Sequence, residues 1–116
     1  MNSEIEQIFN DFTVDGKKIP VRFLRYDGKA ETYVTYQQID IDNVLSADDE
    51  LENYVVFYDF DVYSKYNYIA VVNAIKSLLK NNGWRWQPSR SSGDLLEDDT
   101  GYYHITLNFS IEKGED

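Results

Sequence analysis

The run from Tyr54 to Tyr63 constrains this chain more than any other stretch. Tyr54, Val56, Tyr58, Phe60 and Val62 alternate with their neighbours, so an extended strand carries them all on one side. The other side begins apolar, with Val55 and Phe57, and ends acidic, with Asp59 and Asp61. Such a strand is buried along its whole length on one face and half-covered on the other, which places it in the middle of a sheet. A layer must then cover the apolar face. Val71, Val72, Ile75, Leu78 and Leu79 supply one, as a helical stripe capped by Ser64 or Asn67 and stopped by Asn81-Asn82-Gly83.

The flanking segments read in the same way. Ser3 followed by Glu6 fits a capping box, and Ile5, Ile8, Phe9 and Phe12 form the stripe of a short first helix ending near Asp15-Gly16. Ile19 to Tyr26 reads as a strand entered at an edge through Pro20. After the Asp27-Gly28 turn, Thr32 to Ile41 reads as another strand. Its apolar parity switches between Tyr36 and Ile39, which predicts a bulge near Gln37-Gln38. Trp84 to Trp86 opens a strand and Leu95-Leu96 adds a few extended residues. In the last strand Tyr103, Ile105, Leu107, Phe109 and Ile111 point inward, and His104, Thr106, Asn108 and Ser110 point outward. The expectation is a single α+β domain over residues 1–116, in the order α-β-β-β-α-β-β. A four- to five-stranded, largely antiparallel sheet would carry two helices on one face.

Composition limits function. With 11 basic and 21 acidic residues the net charge is -10, which argues against gripping a phosphate backbone or an anionic membrane. There is no Cys and one His, so Cys-based zinc sites, disulfides, thiol nucleophiles and multi-His metal sites are excluded. The start lacks the pattern of a signal peptide, and no apolar run approaches the ~20 residues of a membrane span. The expected setting is soluble and intracellular.

Few residues suggest chemistry. Asp59 and Asp61 share a strand face, as a carboxylate pair for acid/base work or a hard cation would. A strand end emerging into solvent, or pairing with Arg22, Arg25 or Arg85, outweighs that reading. Asp40, Asp42 and Asn43 before Asp48, Asp49 and Glu50 invite a calcium loop, but the sixth and twelfth positions are Leu45 and Leu51. A solvated acidic connection is preferred. His104 has no nucleophile-elbow context and reads as a surface or interface residue. Tyr63, Tyr66 and Tyr68 gather at the junction of the central strand and the second helix. They suit core packing or a protein–protein surface better than a nucleic-acid stacking platform, since only Lys65 lies beside them.

One family combines these features. The Tyr33-Val34-Thr35-Tyr36 strand, the Phe60-Asp61-Val62-Tyr63-Ser64 strand end leading into an amphipathic helix, and the Asp98-Asp99-Thr100-Gly101-Tyr102-Tyr103-His104 turn into a strand ending Leu107-Asn108-Phe109 follow a short N-terminal helix. In order and length they resemble the tail terminator (tail completion) proteins of long-tailed bacteriophages and prophages. The acidic connection from Asp42 to Asn53 and the Trp84-Arg85-Trp86 pair of indoles depart from that pattern.

The resemblance implies a virion structural protein with no catalytic residues, cofactor or metal. It would assemble with itself as a ring, commonly a hexamer, on the head-proximal end of the tail tube. Its partners would be the major tail tube protein and a head-completion or neck protein, without specific nucleic-acid or membrane binding. It would act in the virion tail after assembly in the host cytoplasm. Candidate interface residues are Asp48, Asp49, Glu50, Tyr63, Tyr66, Tyr68, Asp98 and Asp99, and a negative lumen would keep passing DNA from sticking. The rivals are another head–tail joining protein, an acidic DNA-mimic inhibitor and, third, an enzyme.

Overall fold

A computed structural model describes residues 2–44 and 53–114. The fold is α+β, with two helices on one face of a largely antiparallel sheet. Helix α1 is Asn2–Ile8, followed by a two-stranded hairpin of β1 (Thr13–Val14) and β2 (Lys17–Lys18). Strands β3 (Val21–Phe23), β4 (Thr32–Val44) and β5 (Asn53–Ser64) precede helix α2 (Ile69–Asn81). Then come β6 (Arg85–Trp86), a 3-10 turn at Pro88–Arg90, β7 (Leu95–Glu97) and β8 (Tyr102–Gly114). The main sheet has six strands in the order β3-β4-β5-β8-β6, with β7 also on β8. Among the described residues, only β3 and β4 pair in parallel. This exceeds the expected four to five strands because the two-residue β6 and the three-residue β7 both hydrogen-bond along the outer edge of β8.

As its alternation predicts, β5 is central, flanked antiparallel by β4 and β8. Val56, Tyr58, Phe60 and Val62 meet Val34 and Tyr36 from β4 and Leu107 and Phe109 from β8. Ile5 and Phe9 of the first helical segment cover this face, together with Val71, Val72, Ile75 and Leu79 of α2. Phe60 sits at the centre, with the rings of Phe9, Tyr36, Trp84 and Phe109 all 5.8–6.0 Å from its own. The Tyr58 hydroxyl donates to Asn2 Oδ1 at 3.2 Å, so its polar end is satisfied beneath α1. No helix among the described residues is long and apolar enough to cross a membrane.

Local details correct the sequence reading. Helix α1 already includes Asn2, so Ser3 lies inside it and cannot act as its N-cap. The helix also ends well before Asp15. Asp15 and Gly16 take φ of 53° and 79°, the two left-handed residues that a tight hairpin turn requires, and they join β1 to β2. Strand β3 is shorter than Ile19 to Tyr26 because Leu24 turns left-handed, at φ 66°, and Arg25 N–H bonds back to Phe23 O at 2.7 Å. The bulge in β4 falls between Gln38 and Asp40, where the parity switch put it. The N-cap of α2 is Tyr68, without a side-chain cap, so neither Ser64 nor Asn67 caps the helix; Asn67, one residue earlier, accepts from Ile69 N–H at 3.0 Å. Gly83, at φ 88°, turns the chain out of it.

Candidate functional site

The outer face of the sheet, opposite the helices, holds the ionisable groups that the sequence left unassigned. Antiparallel register sets Asp59 beside Asn108, Asp61 beside Thr106 and Tyr63 beside His104. Asp61 Oδ1 accepts from Thr106 Oγ1 at 2.5 Å and from His104 Nε2 at 2.9 Å. Glu97 Oε2 lies 3.4 Å from His104 Nδ1. The imidazole is therefore bracketed by a carboxylate at each nitrogen. It also stacks on Tyr63 at 4.2 Å, and Tyr63 stacks on Tyr33 at 4.8 Å. The arrangement orients and locks three strands.

The side chains of Asp61 and His104 are only 15% and 17% exposed, so neither is the solvent-facing residue the sequence suggested. Arg22, Arg25 and Arg85 are not the partners of Asp59 or Asp61; Asn108, Thr106 and His104 are. The cover comes from residues 87–93, which fold along β8. Gln87 N–H bonds to Asn108 O, Gln87 Nε2 to Ser110 Oγ, and Asn108 N–H to Ser91 Oγ. Arg90 reaches across the sheet, with its guanidinium 3.9 Å above the Phe57 ring and 3.2 Å from Asp40 on β4. The nominally outward Asn108 and Ser110 are consequently buried, while the nominally inward Tyr103 at the strand start is 42% exposed.

Burial has electrostatic consequences here. Asp59 accepts from Asn108 Nδ2 at 2.8 Å, but desolvation holds its pKa above the ordinary aspartate value, and the charge of Asp61 pushes the same way. Asn108 Oδ1 is buried without a hydrogen-bond partner. The Tyr63 phenol is pushed up to about 12 by burial, with the Asp61 and Glu97 charges adding to it.

The candidate interface residues separate in space. Tyr63 joins the outer-face stack. Tyr66 is exposed and donates to Glu31 Oε2 at 2.8 Å. Tyr68 is buried on the helix side, bonds to Asp94 and stacks on Tyr103. The three do not form one cluster, because strand alternation sends Tyr63 away from the helices and the chain turns between Ser64 and Ile69. Asp98 and Asp99 are exposed in the turn from β7 to β8. Asp48, Asp49 and Glu50 lie outside the described residues. Among the described residues, no set of three His, Asp or Glu side chains converges as a metal site.

Exposed apolar side chains lie at both lateral margins of the sheet, as well as on β4 (Ile39, Ile41) and around the start of α2 (Tyr66, Ile69). Phe23 and Leu24 lie at β3, 45% and 55% exposed. Leu95 and Leu96 lie on β7, each 55% exposed, with Tyr103 opposite Leu96. No protein-family model matches the chain, and no curated protein shows significant similarity to it.

Proposed function

We propose that this chain is a tail terminator of a long-tailed phage or prophage. It binds further copies of itself in a hexameric ring at the head-proximal end of the tail tube, stops addition of the tube protein and offers a surface to the neck. The observation that carries this reading is the pair of unlike apolar margins on opposite sides of one sheet. A closed ring is built from head-to-tail contacts, so each subunit must carry two different patches that fit one another. Scattered exposed apolar residues need no explanation, but adjacent pairs at both edges are what such contacts use. The acidic turn at Asp98 and Asp99 gives a second kind of surface, suited to a partner protein rather than to a phosphate backbone. The buried Asp61–His104–Thr106 network holds the sheet rigid, and no residue is assigned a catalytic role.

Deleting the gene from its phage and measuring tails by electron microscopy tests the proposal. Tails of abnormal and variable length are expected. Infectious particles with normal tails refute it, and normal-length tails that fail to join heads would assign the chain to the neck instead. Competition with DNA for a nucleic-acid-binding enzyme would mark it as a mimic.

A further inference from the structure

The two apolar margins differ in charge as well as in shape. Residues 17–25, which form β2 and β3 and their exit, contain Lys17, Lys18, Arg22 and Arg25 and no acidic residue. Residues 94–99, which form β7 and its turn, contain Asp94, Glu97, Asp98 and Asp99 and no basic residue. In a chain of net charge -10, a compact basic segment is unexpected; Lys18 lies 3.5 Å from Asp11 and Arg25 3.0 Å from Asp27, both pairs exposed, while Arg22 has no acidic partner among the described residues. Sheet order converts this separation in sequence into separation in space: β3 is one margin and β7 lies on the other side, beyond β4, β5 and β8.

Strand direction fits the same pairing. Strands β4 and β8 both run antiparallel to β5, β3 runs parallel to β4, and β7 runs antiparallel to β8. Hence β3 and β7 point in opposite directions. A copy set beside the first, continuing its sheet, brings the β7 of one against the β3 of the next in antiparallel alignment. Both strands are three residues long, and among the described residues neither has a strand on its outer side. Unpaired margins of this kind are templates for strand addition.

We infer that β7 of one copy docks on β3 of the next in antiparallel register, placing Leu95 against Leu24, Leu96 against Phe23, Glu97 against Arg22 and Asp94 against Arg25. The inference rests on the ring-forming reading and names its contact. The pairing is heterologous, so it repeats around a ring rather than closing as a two-fold dimer. Opposite charge fixes the register and disfavours β3 against β3 or β7 against β7.

Light scattering and sedimentation on the full chain and its charge-reversed variants test this. Wild type is expected as a multi-copy particle at low salt, with association weakened about tenfold or more by salt that shortens the Debye length from about 10 Å to about 3 Å. Asp94→Lys/Glu97→Lys and Arg22→Glu/Arg25→Glu should each weaken association by about a hundredfold or more, because like charges then face each other across the contact. Combining all four substitutions in one chain should restore the particle. Circular dichroism and melting should show every variant folded, since Arg22, Arg25 and Asp94 are exposed and the Glu97 side chain is 41% exposed.

A wild-type particle that survives both double substitutions overturns the β7–β3 contact and leaves the ring reading standing. Failure of the fourfold variant to recover likewise overturns it. Wild type that stays monomeric at low salt overturns the pairing, while the tail-length measurement decides the terminator reading separately.

Discussion

Asp59 and Asp61 sit two residues apart on one face of one strand, and the structure requires opposite responses to the same substitution. Asp59 makes one side-chain hydrogen bond, from Asn108 Nδ2, while Asn108 Oδ1 stays buried and unpartnered. An amide at position 59 keeps an acceptor for Asn108 and adds an N–H donor beside the orphaned oxygen. A buried unsatisfied group costs about 1–3 kcal/mol, so recovering part of that makes Asp59→Asn neutral to about 1–2 kcal/mol stabilising at neutral pH.

Asp61 accepts from both Thr106 and His104, and bonds to a charged acceptor are worth about 1.5–3 kcal/mol, so Asp61→Asn should cost about 2 kcal/mol. Asp42→Asn, at an exposed position, should stay within about 0.5 kcal/mol and controls for lost charge. Urea unfolding with an unchanged slope reads all three.

The pH dependence follows from the direction of the Asp59 shift. Its folded pKa lies above the unfolded value of 3.8, so its favourable contribution is full below that value and is lost as pH rises through the folded pKa. The advantage of Asp59→Asn is therefore greatest near neutrality and shrinks on acidification. Equal losses for Asp59→Asn and Asp61→Asn, or a stabilising Asp61→Asn, would refute the assignment of these roles.

Other outcomes follow from the core and the stack. Phe60→Ala removes the ring at the centre of the aromatic cluster and should cost about 3–5 kcal/mol in urea unfolding, and a loss under about 1.5 kcal/mol would contradict packing of both helices on this face. Ultraviolet titration should show late-ionising tyrosines, since burial raises both Tyr63 and Tyr68, and Tyr63→Phe should remove one of them while the Tyr68 signal remains. The Tyr63 contribution is full below 10.0 and lost as pH rises toward about 12, so wild type should lose stability over that interval faster than Tyr63→Phe.

The fold was legible wherever a segment carried enough residues to declare its period. The central strand, the stripe of α2, the parity switch before Ile39 and the alternation of Leu107, Phe109 and Ile111 all lie where packing chooses one face and excludes the other. Short elements escaped. Two residues at Thr13–Val14 and two at Lys17–Lys18 carry no period, although Asp15-Gly16 is a hairpin signal when extended chain flanks it. Residues 19–26 read as one strand because nothing local announces that Leu24 turns left-handed.

The outer-face network was half legible. Asp59 and Asp61 share a parity, and so do His104, Thr106 and Asn108, but alternation fixes only which side of a strand a residue occupies. Which Asp meets which partner depends on the register between β5 and β8, set by the 37 residues between Ser64 and Tyr102 that close no tight turn. Polar residues on that face were read as exposed because the cover is a loop, residues 87–93, whose Ser and Arg look solvated. Its hydrogen bonds to β8 and the reach of Arg90 to Asp40 are what bury them. The charge asymmetry has the same character. Lys17 to Arg25 and Asp94 to Asp99 are ordinary charged stretches along the chain, and they become opposing margins only because β4, β5 and β8 stand between β3 and β7. Net charge alone pointed to repulsion from nucleic acid. In the proposed β7–β3 contact, its distribution over the sheet would supply an attraction between one copy and the next.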